Sequence, residues 1–222
     1  MKLIGMLDSP YVRRVAISLQ LLGLRFEHQS LSVFRSFDEF RSINPVVKAP
    51  SLVCDDGEVM MDSSLILEYA EALARPRSLL PSDCKALQHE LRLVGLGLAA
   101  MEKSVQLVYE DGLRPPEKRH DPWVDRVTGQ LRSAYSELER EFARNSPVVS
   151  SLTIGQAGVT VGVAWHFTRQ MLPHVVSPAA HPTLAAFSAA VELLAEFRAA
   201  PHGDGTFRGA VPDDRQHGQC PP

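Results

Sequence analysis

Along the first third of the chain, short apolar runs alternate with stretches whose apolar positions fall three and four residues apart. Lys2–Leu7 is such a run and predicts a strand, closed by Asp8-Ser9-Pro10. Val12, Val15, Ala16, Leu19 and Leu22 then recur at helical spacing, and Gly23 supplies the stop. Arg25–Val33 predicts a second strand. A strand, a helix and a strand this close together make a right-handed βαβ unit with parallel strands. A short helix follows over Asp38–Ile43 and is broken by Asn44-Pro45. Ser51–Cys54 and Glu58–Met61 predict two strands joined through the hairpin signal Asp55-Asp56-Gly57. Asp62-Ser63-Ser64 opens the next helix, with Leu65, Ile66, Tyr69, Ala70 and Leu73 on its apolar face.

This order is the thioredoxin-like arrangement and assigns residues 1–74 to one α/β domain. Residues 75–83 hold two prolines and no periodicity, which reads as a linker. Beyond it the pattern is helical only: Cys84–Asp111 with Gly112 as its stop, Trp123–Arg144, Thr153–Leu172 and Thr183–Ala199. Residues 84–200 are thus expected to form an all-α domain, and the Gly-, Pro- and charge-rich residues 201–222 an irregular tail. Two glycines inside one helix, Gly95 and Gly97, call for close packing, against a neighbouring helix or a second subunit. Asn145–Thr168 lacks Asp, Glu, Lys and Arg but carries polar residues and three glycines, so it predicts a buried helix and not a membrane span.

Composition narrows the classes. Hydrophobic residues make up 45%, charged residues 22%, and the net charge is −3, the balance of a soluble globular protein without a basic patch for nucleic acid. The three cysteines, Cys54, Cys84 and Cys220, are widely spaced with no CxxC, so neither a disulfide framework nor a zinc site is expected, and reduced cytoplasmic thiols fit. The eight histidines show no metal-ligand spacing. The opening MKLIGMLDSPYVRR is not expected to be a signal peptide.

Three short motifs fall at strand-to-helix turns. Ser9-Pro10 is either a plain helix cap or a hydroxyl aimed at a thiolate, held at the positive end of a helix. No cysteine stands at that turn, so on the second reading the sulfur belongs to a ligand. Ala49-Pro50 is either a strand-edge proline or a cis bond that turns the Ala49 N–H and C=O toward an extended peptide. Asp62-Ser63 is either an N-cap or a site for the carboxylate and α-amino group of a free amino-acid end. The three sharper readings together describe a small peptide with a thiol at its centre, and glutathione is such a peptide.

On these motifs the sequence resembles the cytosolic glutathione S-transferases, in particular bacterial and plant-type members with a serine-proline start, over residues 1–200. The resemblance implies a thioredoxin-like front domain followed by an all-helical one, and Ser9 as the thiol-activating residue. It assigns Ala49, Pro50, Asp62, Ser63, Lys48 and Phe34 to the glutathione site. His181-Pro182-Thr183-Leu184 through Phe197-Arg198 is similar to a late helix of the family. Where the family opens its buried helix with Ser or Thr and then Asp three residues on, this chain has Thr153-Ile154-Gly155-Gln156; the glutamine is expected to close the box by reaching back to the Thr153 N–H. Tyr11, Tyr109 and Trp165 are candidates for a second-substrate pocket, with His166 and Arg169 as further cleft candidates. The implied activity is conjugation of glutathione, a co-substrate and not a cofactor, to a small, mostly apolar electrophile, as in detoxification by a cytoplasmic homodimer. The competing reading is a binding or regulatory protein on the same fold.

Overall fold

The structure, a computed structural model, describes residues 1–145 and 147–207. The front part runs β1 (Lys2–Ile4), α1 (Pro10–Leu21), β2 (Glu27–Gln29), α2 (Phe37–Ile43), β3 (Ser51–Val53), β4 (Val59–Met61) and α3 (Ser63–Leu73). The strands form one sheet in the order β2-β1-β3-β4. β1 pairs in parallel with β2, and antiparallel pairing joins β1 to β3 and β3 to β4. Leu3 stands opposite His28 on one side and Leu52 on the other, so the apolar centre of β1 is fully buried. This is the mixed sheet of a thioredoxin-like domain.

Both outer boundaries of that βαβ unit are shorter than the hydrophobic pattern predicts. β1 stops at Ile4 because Gly5, at φ 132°, turns the chain tightly under α1; a Cβ there would sit 2.7 Å from Val12 Cγ2. With β1 so short, β2 can pair only over Glu27–Gln29, and the rest of Arg25–Val33 is loop. On α3 the buried stripe is Ser63, Ile66, Leu67 and Ala70. Leu65 and Leu73 face outward instead of into the core.

The back half is helical: α4 (Cys84–Leu113), α5 (Asp121–Arg144), α6 (Gln156–Met171), α7 (Pro182–Val191) and α8 (Ala195–Ala199). Gly112 does not stop α4, which runs one residue past it. Gly97 meets α6 closely, since a Cβ there would lie 2.9 Å from Thr160 Cγ2; nothing lies within 4 Å of such an atom at Gly95. The late helix predicted as continuous breaks between α7 and α8. At the break, Glu192 turns toward the front domain and takes both terminal nitrogens of the buried Arg13 at 2.7 and 2.6 Å. Arg13 Nε also donates to the Ala200 carbonyl at 2.8 Å. A desolvated bidentate pair of this kind fixes α1 relative to the back half with little freedom.

The charge-free run forms α6, which is buried over most of its length. Its start corrects the expected capping box. Gly155 is the N-cap, and the Thr153 N–H goes to the Ser150 carbonyl instead of the Gln156 side chain. Gln156 accepts from Ser18 Oγ of α1 at 3.2 Å, while Glu90 of α4 accepts from the Ala157 N–H at 2.7 Å. The missing carboxylate of the box is thus supplied from another helix.

Pro201–Phe207 is neither helix nor strand, but it is not loose. Phe207 stacks on Phe26 at 4.6 Å, its N–H donates to His28 Nδ1 at 2.9 Å, and Ser30 Oγ donates to the Asp204 carbonyl at 2.8 Å. These contacts hold the segment beside β2. The rest of the expected tail, residues 208–222 with Cys220, lies outside the described residues.

Candidate active site

A cavity of about 820 Å³ opens between the sheet domain and the helical half. Its front wall carries Ser9, Tyr11, Phe34, Lys48, Ala49, Pro50, Asp62 and Ser63, and its back wall carries residues of α4 and α6, Tyr109 among them. On the front wall, residues separated by tens of positions are gathered because most stand just before a strand or at the start of a helix on one rim of the sheet.

Ser9 caps α1. Its Oγ accepts from the Val12 N–H over 3.5 Å, a long bond that leaves the hydroxyl available to another partner. Pro10 takes the first helical position, where its missing N–H costs nothing. Both the cap and the cavity-facing position are therefore present in one residue.

The Ala49–Pro50 peptide is cis. Among the described residues neither the N–H nor the C=O of Ala49 has a hydrogen-bond partner. The loop that presents it is braced from behind: Asn44 Nδ2 donates to Ser51 Oγ at 2.8 Å, and Ser51 Oγ donates to the Lys48 carbonyl at 2.8 Å. Lys48 Nζ lies 3.6 Å from Asp62 Oδ2, so two candidate ligand-binding charges face each other across the cavity floor.

Asp62 caps α3 at φ 71°, accepting from the Ser64 N–H at 2.9 Å. Behind that cap lies Arg14, which the sequence reading passed over. It is 2% exposed and donates to Ser63 Oγ at 3.1 Å and Ser64 Oγ at 3.3 Å, while its Nε has no partner among the described residues. Burial pulls its guanidinium down to about 10, with Asp62 and Tyr11 opposing. Because both serines accept from Arg14, their own O–H groups are free to point at a ligand. The sequence signal was the Arg13-Arg14 pair within an otherwise apolar helix, a cost that demands a partner for each charge.

The remaining wall is mostly apolar, with Leu98, Val105, Val108, Phe167 and Met171 joined by two aromatic hydroxyls and one carboxylate, Glu102. Phe34 and Tyr109, 56% and 44% exposed, meet edge-on across the cleft with centroids 5.6 Å apart. Burial, then Glu102 and Asp62, push the Tyr11 phenol up to about 12, so it stays protonated and able to donate. Trp165 does not join them. At 4% exposure it packs against Tyr135, because the face of α6 that carries it turns into the helical core. His166 turns to Glu192 at 3.2 Å, and Arg169 donates to the Pro173 and Val176 carbonyls; neither lines the cavity. Among the described residues no group of three or more His, Cys, Asp or Glu could hold a metal ion, and no helix is long and apolar enough to cross a membrane.

Comparison with known proteins gives this geometry a context. Residues 3–78 match the family described as glutathione S-transferase, N-terminal domain. A glutathione transferase family member from Pseudomonas fluorescens Pf-5, solved with glutathione bound, is 28% identical at a TM-score of 0.76, covering 90% of this chain and 97% of that one. A glutathione S-transferase from Methylobacterium radiotolerans, solved with glutathione sulfonate, is 26% identical at a TM-score of 0.81, covering 89% and 92%. The uncharacterized GST-like protein YibF of Escherichia coli is 24% identical over 173 residues, 78% of this chain and 85% of that protein. The family match is confined to the front part of the chain, and the chain as a whole has the glutathione S-transferase fold.

Proposed function

We propose that the protein is an enzyme that joins the sulfur of glutathione to a small, mostly apolar electrophile. The observation that carries the reading is that Ser9, Ala49, Asp62 and Ser63 share one wall of a cavity whose other wall is mostly apolar. Residues 1–74 would bind the tripeptide, and residues 84–200 would supply the acceptor's compartment.

The chemistry follows from the groups present. A free thiol has a pKa of about 8.5 and is mostly protonated at neutral pH. The Ser9 O–H, donating to the sulfur at the positive end of α1, favours the thiolate. The unpaired N–H and C=O of Ala49 suit the backbone of an extended peptide as an added strand. The start of α3, with the Ser63 hydroxyl in front and the Arg14 charge behind, suits the carboxylate of a γ-glutamyl group. Asp62 suits its ammonium, and Lys48 suits the glycine carboxylate once freed from Asp62. Holding a preformed thiolate against the acceptor accounts for the rate gain through proximity. Support comes from solved relatives of 26–28% identity with glutathione or its sulfonate bound.

The test is calorimetric titration with glutathione followed by turnover on a panel of electrophiles. Micromolar to millimolar binding with conjugate formation is expected. Binding without turnover on any electrophile would leave a glutathione-binding protein and refute the transferase.

A further inference from the structure

Four ionisable acid or base side chains line the cavity: Asp8, Lys48, Asp62 and Glu102. Three of them are matched. Lys48 and Asp62 face each other at 3.6 Å, and Glu102 takes Lys103 Nζ at 2.8 Å and Gln106 Nε2 at 2.9 Å. Asp8 has no ion pair among the described residues. It precedes Ser9 directly and lines the same cavity.

The cavity that Asp8 lines also holds Tyr109. Tyr109, on the opposite wall, has its phenol pushed up first by burial and then by the charge of Asp8. Around Asp8 itself, burial raises the carboxyl, while His202 and then the Ser9 N–H and Arg35 oppose it. Neither cation is a full match. Burial first, then Arg13, holds His202 toward its neutral form, although Asp8 and Glu192 oppose this, and Arg35 is shared with Asp204 at 3.8 Å. Among the described residues no lysine or arginine lines the wall formed by α4 and α6 to offset a further negative charge.

Resting on the glutathione reading above, we propose that Asp8 is a specificity-determining residue. It makes the acceptor compartment a charge filter that admits neutral acceptors beside the sulfur and rejects those bearing a carboxylate or sulfonate. The thiolate adds a second negative charge on the same side, and like charges a few ångströms apart in a partly desolvated cleft repel strongly.

Binding of unreactive S-conjugates tests this without requiring turnover. S-(4-nitrobenzyl)glutathione and S-(4-carboxybenzyl)glutathione have nearly the same shape and differ in charge. By calorimetry at low salt the carboxylate conjugate is expected to bind about tenfold more weakly to the parent. The gap should shrink in Asp8→Asn, persist in Asp8→Glu, and narrow in the parent as added salt screens the repulsion. Equal affinities in the parent, or the same gap in Asp8→Asn, overturn the charge filter while leaving glutathione binding intact. Failure of glutathione itself and of both conjugates to bind overturns the underlying reading, and the filter with it.

Discussion

Replacing Glu90 by alanine removes the carboxylate that caps α6 from outside. Gly155, the N-cap, has no side chain to offer, and a Cβ there would lie 2.5 Å from Glu90 Oε1, so the two positions are fitted to each other. Glu90→Ala leaves the buried Ala157 N–H without its 2.7 Å acceptor. Losing a hydrogen bond to a charged group costs about 1.5–3 kcal/mol. The lost attraction to the helix N-terminus contributes about 0.3–1 kcal/mol more, not fully additive because it arises from the same carboxylate. The expected total is about 2–3 kcal/mol, a fall in Tm of roughly 4–12 °C for a chain of this size. Glu90→Gln keeps an acceptor without the charge and should lose about 1 kcal/mol. Urea unfolding followed by fluorescence measures both, since Trp165 lies within α6 and packs against Tyr135 at 5.2 Å. An alanine variant within about 0.5 kcal/mol of the parent would mean that the Glu90 contact adds nothing to the start of α6.

Ser9→Ala is expected to slow conjugation far more than it weakens glutathione binding, and thiolate absorbance of the bound tripeptide should show the sulfur's pKa rising; an unchanged pKa would leave Ser9 as a helix cap alone. Asp62→Ala and Ser63→Ala should each weaken glutathione binding by about 1–3 kcal/mol in calorimetry, and parent-like affinity in both would misplace the γ-glutamyl site. His28 should make stability pH-dependent: its Nδ1 accepts from the Phe207 N–H and its Nε2 lies 2.7 Å from the Gly5 carbonyl, which together require the neutral ring. Burial holds its pKa down in the fold, so its contribution is present above the ordinary value of about 6.5 and lost as pH falls below it. Urea midpoints between pH 7.5 and 5 should therefore drop further in the parent than in His28→Gln, and parallel profiles would refute the assignment. Light scattering is expected to give a homodimer of about twice 24.5 kDa, covering Leu65 and Leu91, which are exposed in the single chain; a monomer peak at micromolar concentration would refute it.

What was legible in the sequence was whatever depends on neighbours along the chain. Ser9-Pro10, Ala49-Pro50 and Asp62-Ser63 announce their roles through turn and cap chemistry that acts within three or four residues, and each stands at the cavity. Tyr11 and Tyr109, named as pocket candidates, also line the cavity. Contacts between distant segments left no such trace. Gln156 looked like half of a capping box, but the helix it starts is buried against both α1 and α4, so its amide turned to Ser18 and a glutamate 66 positions earlier took over the cap. Trp165 looked like a pocket residue because aromatic side chains suit either a cleft or a core, and only the orientation of α6 decides between them.

The Arg13-Arg14 pair shows how the two kinds of information combine. Consecutive helical positions point about 100° apart, so the two guanidinium groups leave α1 in different directions. Arg13 goes to the back half and clamps Glu192 and the Ala200 carbonyl. Arg14 goes to the start of α3 and supports Ser63 and Ser64. Both sit within two turns of Ser9, so the helix that presents this hydroxyl is anchored once to the helical half and once to the start of α3. On the proposed reading, a helix held on two sides in this way keeps Ser9 in a fixed place relative to the start of α3, as a reaction driven by proximity requires.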